Sequence, residues 1–119
     1  MYRKLLFAVL ALALSAALRA QDAEGVYSKV DENPAPTKTV KPTYPSELRR
    51  EGVEGLAAVS CVIDETGVVI SAKVTKSSNP GFEKAALEAI EKWKFKPAKK
   101  DGKTVKVRVT IPFRFNLDD

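Results

Sequence analysis

The chain has no histidine, one cysteine, one methionine and one tryptophan among its 119 residues. Without histidine there is no Ser-His-Asp triad, no Cys-His pair, no histidine metal ligand and no imidazole acid or base. A single cysteine excludes an intrachain disulfide and a cysteine-rich metal cluster. No glycine-rich phosphate loop is present. The carboxylates Asp64 and Glu65 are adjacent on a turn, where aspartate is wanted for its side-chain hydrogen bonding. Ser77 and Ser78 have no base beside them. These absences argue against an enzyme and imply no cofactor and no metal.

What is present is a soluble balance, 45% hydrophobic and 29% charged, on a length that suits one domain with one modest core. The first residues, Met1-Tyr2-Arg3-Lys4, carry two cations, and Leu5 to Leu18 then runs for 14 residues without a charge. Small residues follow at Ser15-Ala16-Ala17 and Ala20, so residues 1–20 read as a secretory signal peptide, with an uncleaved N-terminal anchor as the alternative. The stretch is shorter than the roughly 20 apolar residues of a usual transmembrane helix. No cysteine follows it to carry a lipid. Export to the periplasm is the expectation, with inner-membrane anchoring if the segment stays.

Removing residues 1–20 takes Arg3, Lys4 and Arg19 from the 20 cations and nothing from the 15 acids, which lowers the net charge from +5 to +2. That is too little, and too little clustered, for a nucleic-acid surface. The lysines from Lys92 to Lys103 are interrupted by Trp93, Phe95 and Pro97 and read as a solvated face. Residues 21–40 have no sustained period and carry Pro34 and Pro36, so they read as a flexible linker, about 60 Å long if fully stretched.

From Lys41 onward the punctuation becomes regular. Pro45 to Glu51 predicts a short helix, with Pro45 at its first position, Glu47 in the first turn, Arg49 and Arg50 in the last, and Gly52 as terminator. Leu56 to Ile63 predicts a strand with Ala57, Val59, Cys61 and Ile63 inward. Asp64 to Gly67 predicts a hairpin turn into a return strand over Val68 to Thr75. The apolar positions Val69, Ala72 and Val74 change parity, which predicts a bulge near Ile70-Ser71.

Phe82, Ala85, Ala86, Ala89, Ile90 and Trp93 form one stripe at helical period and predict a helix over Phe82 to Trp93. A second turn is expected at Lys100 to Lys103. The cleanest strand pattern closes the chain: Val105, Val107, Val109, Ile111, Phe113 and Phe115 on one face, Lys106, Arg108, Thr110, Pro112 and Arg114 on the other. The fold class is α+β, two helices packed on one face of a three-stranded antiparallel sheet in the order second-first-third. Pro112 has no N–H to give a ladder, so the last strand is expected at an edge. Such an edge is a template for another strand, and its Lys106, Arg108 and Arg114 are equally suited to blunting it.

In this order and spacing the pieces carry a resemblance. They are Tyr44-Pro45, Gly52-Val53-Glu54-Gly55, Asp64 with Gly67-Val68, Lys76-Ser77-Ser78, Phe82 with Ala85-Ala86, Trp93 to Ala98, Gly102, and Pro112-Phe113-Arg114-Phe115. Over residues 41–117 the chain resembles the C-terminal domain of the TonB energy-transducer family. The family's transducers often read Gln-Pro-Gln-Tyr-Pro where this chain has Lys41-Pro42-Thr43-Tyr44-Pro45, so two cation or hydroxyl side chains replace two amides.

The resemblance implies a periplasmic domain that grips an extended segment of an outer-membrane TonB-dependent receptor, or of another envelope protein, as a strand beside its own last strand. An ExbB/ExbD-type motor is implied where the N-terminus remains uncleaved. Carried over by position, the partner-binding residues are Lys41, Thr43, Tyr44, Pro45, Lys106, Arg108, Thr110, Pro112 and Arg114. The alternative is a stand-alone assembly domain whose edge pairs with its own copy in a homodimer.

Overall fold

The structure, a computed structural model, describes residues 25–118, so the expected signal segment lies outside it. In chain order the elements are β1 (Ala35–Lys38), α1 (Ser46–Arg50), β2 (Gly55–Ile63), β3 (Val69–Ser77), a 3₁₀ turn (Pro80–Phe82) running into α2 (Glu83–Glu91), β4 (Lys94–Lys96), β5 (Ala98–Lys100), β6 (Lys103–Val105) and β7 (Val107–Phe115). The main sheet is antiparallel in the order β3-β2-β7, as expected from the sequence, and two small ribbons, β1-β4 and β5-β6, accompany it. Among the described residues no helix is long and apolar enough to cross a membrane.

Local chemistry explains each element. α1 spans five residues with Pro45 at its N-cap, one position earlier than expected. Its C-terminal end is closed by Gly52 N–H donating to Arg49 O and Val53 N–H donating to Leu48 O, the paired bonds of a glycine-ended helix. So short a helix is stable only when packed, and its half-buried Leu48 supplies that contact with the core. In the β2-β3 hairpin, Asp64 Oδ1 accepts the N–H groups of Thr66 and Val68 at 2.9 and 3.0 Å and the Thr66 hydroxyl at 2.7 Å. Those donors, the Thr66 hydroxyl first, hold the Asp64 carboxyl below the ordinary aspartate range. The carboxylate organises the turn.

The bulge expected near Ile70-Ser71 is present, for Val62 pairs with Ser71 and Ile63 with Val69, leaving Ile70 unmatched. A second irregularity follows at Thr75, between the pairs Ala58-Lys76 and Val59-Val74. The core lies between the inward rows of β2 and β7 and the stripe of α2. Ala57, Val59, Ile63, Phe82, Ala86, Ile90 and Ala98 are sealed from solvent.

Two expectations need correction. The helix expected over Phe82 to Trp93 divides into the 3₁₀ turn, begun by Asn79 Oδ1 accepting Gly81 N–H, and the nine residues of α2. Trp93 lies past its end because the last turn tightens, with Trp93 N–H donating to Ile90 O, and because its indole N–H reaches Val40 O at 2.9 Å. The final strand is interrupted at Lys106: β6 turns back on β5 through Asp101 and Gly102, both at positive φ (52° and 77°), whereas β7 pairs with β2.

Residues 25–40, read as a flexible linker, are extended but attached. β1 pairs with β4, Glu32 and Lys99 exchange backbone hydrogen bonds at 3.0 Å, and Tyr27 bridges to Val107 in parallel. The segment is polar and mostly exposed, so its order comes from pairing with distant partners and from two apolar anchors, Val26 and Val30.

Cys61 is 1% exposed on the inward face of β2, and burial pushes its thiol up to about 11. The thiolate is the reactive form. We therefore expect native protein at pH 8 to leave a disulfide reagent such as dithionitrobenzoate unreacted for hours, and one thiol to titrate within minutes in denaturant. Rapid modification of the native chain would place Cys61 at the surface.

Candidate functional site

β7 presents two unlike sides. Its odd-numbered residues from Val107 to Phe115 pair with the odd-numbered residues of β2, from Ile63 to Gly55. Backbone groups alternate along a strand, so the N–H and C=O of the even-numbered residues point away from β2. Two bonds fix that phase: Arg108 N–H donates outward to Tyr27 O at 3.0 Å, and Lys106 O accepts Tyr27 N–H at 2.9 Å. Pro112, opposite Ala58, therefore lacks an N–H only on the outer side, and the ladder to β2 is undisturbed. The edge expected from Pro112 is where the structure has it.

The exposed row Arg108, Thr110, Pro112 and Arg114 runs along this edge. Its far end opens into a cleft of about 160 Å³ lined by Lys41, Pro42, Tyr44, Arg49, Arg114, Phe115 and Asn116. Three cations and no acid line it, so it favours a carboxylate or a backbone carbonyl. Tyr44 forms its floor. The phenol hydroxyl donates to Val53 O, the ring meets Phe82 and Phe115 edge-on at 5.8 and 5.7 Å, and the Arg49 guanidinium carbon lies 4.7 Å above it. Tyr44 therefore packs against the core and lines the cleft at the same time.

The structure brings Lys41, Tyr44 and Arg114 together in the cleft and puts Arg108, Thr110 and Pro112 on the edge leading to it. The other expected site residues lie apart. Thr43 lines a separate shallow depression with Val40, Ala85 and Glu88; Pro45 caps α1; Lys106 is at the opposite end of the edge beside Tyr27. Arg49 and Asn116 were missed. The sequence accounts for Arg49 as a cation in the last turn of α1, and only the packing of that turn against Tyr44 shows its second use. Among the described residues, no group of three or more His, Cys, Asp or Glu side chains could hold a metal ion.

Comparison with known proteins agrees with this architecture. The profile of the Gram-negative bacterial TonB protein C-terminal family matches residues 40–117. Protein TonB of Vibrio cholerae is 37% identical over 90 residues, covering 75% of this chain and 37% of that protein. Protein TonB of Xanthomonas campestris is 36% identical over 78 residues, covering 65% of this chain and 35% of that protein. The chain thus spans little more than a third of the length of these relatives. Of solved structures, the Pseudomonas aeruginosa TonB C-terminal domain superposes with a TM-score of 0.62 at 28% identity, covering 77% of this chain and 94% of that one. The Helicobacter pylori TonB C-terminal domain gives 0.51 at 32% identity, covering 66% and 84%. The match spans all of the main sheet, both helices and the basic cleft, and the chain belongs to the TonB family by its C-terminal domain.

Proposed function

We propose that this chain is a periplasmic binding domain that captures an extended segment of an outer-membrane receptor, or of another envelope protein, by adding it as a strand to the outer edge of β7. The observation that carries the reading is the edge itself: β7 ends the main sheet and turns the backbone groups of Thr110, Pro112 and Arg114 away from β2. Strand addition recruits such groups, at roughly 0.5–1.5 kcal/mol net for each hydrogen bond. The cleft of Lys41, Arg49 and Arg114 then receives an acidic side chain or a carbonyl at one end of the captured segment. The role follows the family's part in outer-membrane transport, and residues 1–20 act as the export signal. Coupling to an ExbB/ExbD-type motor belongs to a chain that keeps its N-terminal segment as an anchor.

The test uses synthetic ten-residue peptides copied from the N-terminal segments of TonB-dependent receptors, titrated into isotopically labelled protein. The backbone resonances of Thr110 to Arg114 are expected to move while those of β3 stay. Thr110→Pro should leave the melting temperature within a few degrees, because its N–H faces away from β2. It should also weaken binding about two- to tenfold, the worth of one lost hydrogen bond. Unfolding by Thr110→Pro would overturn the edge assignment. A concentration-dependent dimer that ignores every peptide would instead establish self-pairing through the edge.

A further inference from the structure

The beginning of the β7 edge is already occupied by this chain. Tyr27 lies beside Val107 as a parallel strand, joined by the two backbone bonds at 2.9 and 3.0 Å. Paired residues share a face of a sheet and neighbours in a strand alternate, so Val26 falls on the face opposite Val107, the face of Arg108 and Val62. Both valines are 4% exposed on the side that carries Arg108, Thr110 and Arg114, and both stand outside the main core cluster. Beyond Val26 the segment is secured again: Asp31 and Glu32 N–H donate to Lys99 O, and Asp31 Oδ2 accepts Asp101 N–H at 2.7 Å. Tyr27 also lies under the Lys100 ammonium at 5.9 Å. The contact therefore combines backbone pairing, a buried apolar anchor and a fixed attachment a few residues away.

We propose that residues 25–28 are a built-in competing strand: they occupy the edge at Lys106 to Arg108, so that a partner strand pairs along all of β7 only by displacing them. The inference rests on the reading of the β7 edge as the partner's docking site. Competition follows from geometry, since the outward N–H of Arg108 can serve one strand at a time. Tethering makes the chain's own strand a strong rival, for a segment held by short chain has an effective concentration of about millimolar. A partner bound while the edge is nine-tenths occupied loses about tenfold in apparent affinity, which release of the segment restores.

The competition is tested with the chain's own sequence, so a receptor peptide that fails to bind does not decide it. Full-length protein and its Val26→Asp variant are compared by amide hydrogen exchange. Both are then titrated to millimolar concentration with a synthetic peptide copying residues 25–33. We expect Tyr27 and Arg108 amides to exchange at least about tenfold faster in the variant, while Cys61 and Val109 keep their protection. We also expect the peptide to shift Arg108 and Thr110 resonances in the variant and at least about tenfold less in the wild type. Unchanged Arg108 exchange, or a peptide acting equally on both proteins or on neither, overturns the proposal. Should Val26→Asp lose the protection of Cys61 as well, the Arg108 exchange and peptide criteria are applied to Tyr27→Pro, which removes the N–H donated to Lys106 O and leaves Val26 in place.

Discussion

Replacing Phe82 by alanine is expected to remove about 3–5 kcal/mol of stability. The ring is fully buried at the junction of the 3₁₀ turn and α2, stacked on Phe115 with centroids 4.2 Å apart and met edge-on by Tyr44. Truncation opens a cavity between a helix that begins there and a strand that ends there. It also strips both aromatic partners of contacts worth about 0.5–1.5 kcal/mol each beyond area. Small domains are stable by only about 5–15 kcal/mol, so the loss is a large fraction of that margin and the variant should melt about 15–30 °C lower. Thermal and urea unfolding followed by tryptophan fluorescence checks this, with Phe82→Leu as the control costing less than half as much. Because Tyr44 and Phe115 also line the basic cleft, any partner affinity should fall by more than the unfolded fraction explains. A variant that melts within 5 °C of wild type would mean that the aromatic cluster is not the keystone of this end of the core.

The elements legible in the sequence are those whose local pattern is also their tertiary role. Ala57, Val59, Cys61 and Ile63 alternate because one face of β2 meets α2, and all four are buried. The bulge at Ile70 was visible because apolar residues flank it on both sides and reveal the parity change. The one at Thr75 was not, since only Lys76 and Ser77 follow and neither marks a face. The break at Lys106 escaped for the converse reason. Val105 and Val107 have the same parity, and alternation continues while the partner strand changes from β5 to β2.

The site divides along the same line. Pro112 identifies an edge by a backbone property that acts through a single residue, so sequence sufficed for it. Arg49 enters the cleft only because α1 folds back over Tyr44, and nothing in the spacing of Tyr44 and Arg49 specifies that angle. The strand at Tyr27 is harder still. Residues 25–33 contain two valines and a tyrosine among small, charged and amide side chains, and what orders them is an unpaired edge eighty positions away. Pairing energy supplied by a distant template leaves no period in the segment that uses it.

Gly67→Ala is expected to be the most damaging single methyl that could be added to the β2-β3 hairpin. Gly67 has φ +90°, a conformation that side chains rarely adopt. Space is the greater obstacle, because a Cβ there would lie 1.8 Å from the Phe95 carbonyl oxygen, far inside contact distance and against backbone that cannot swing aside. That approach is built into the fold, for Phe95 N–H donates to Gly67 O at 2.9 Å and the neighbouring Val68 pairs with Lys94. The methyl therefore acts on the hairpin and on β4 together, and through β4 on β1 and the segment leading to Tyr27. Strain at φ of this kind costs of order 1–3 kcal/mol, and separating the two backbones forfeits a hydrogen bond of about 1 kcal/mol besides. The sum predicts a loss of about 2–4 kcal/mol by chemical denaturation. Backbone amides of Phe95 and Tyr27 should lose protection before those of Cys61 and Val109, because the β2-β7 ladder does not pass through Gly67. Equal loss of protection at all four amides would show instead that the hairpin, the ribbon and the main sheet open as one unit, and that the segment at Tyr27 has no independent equilibrium to shift.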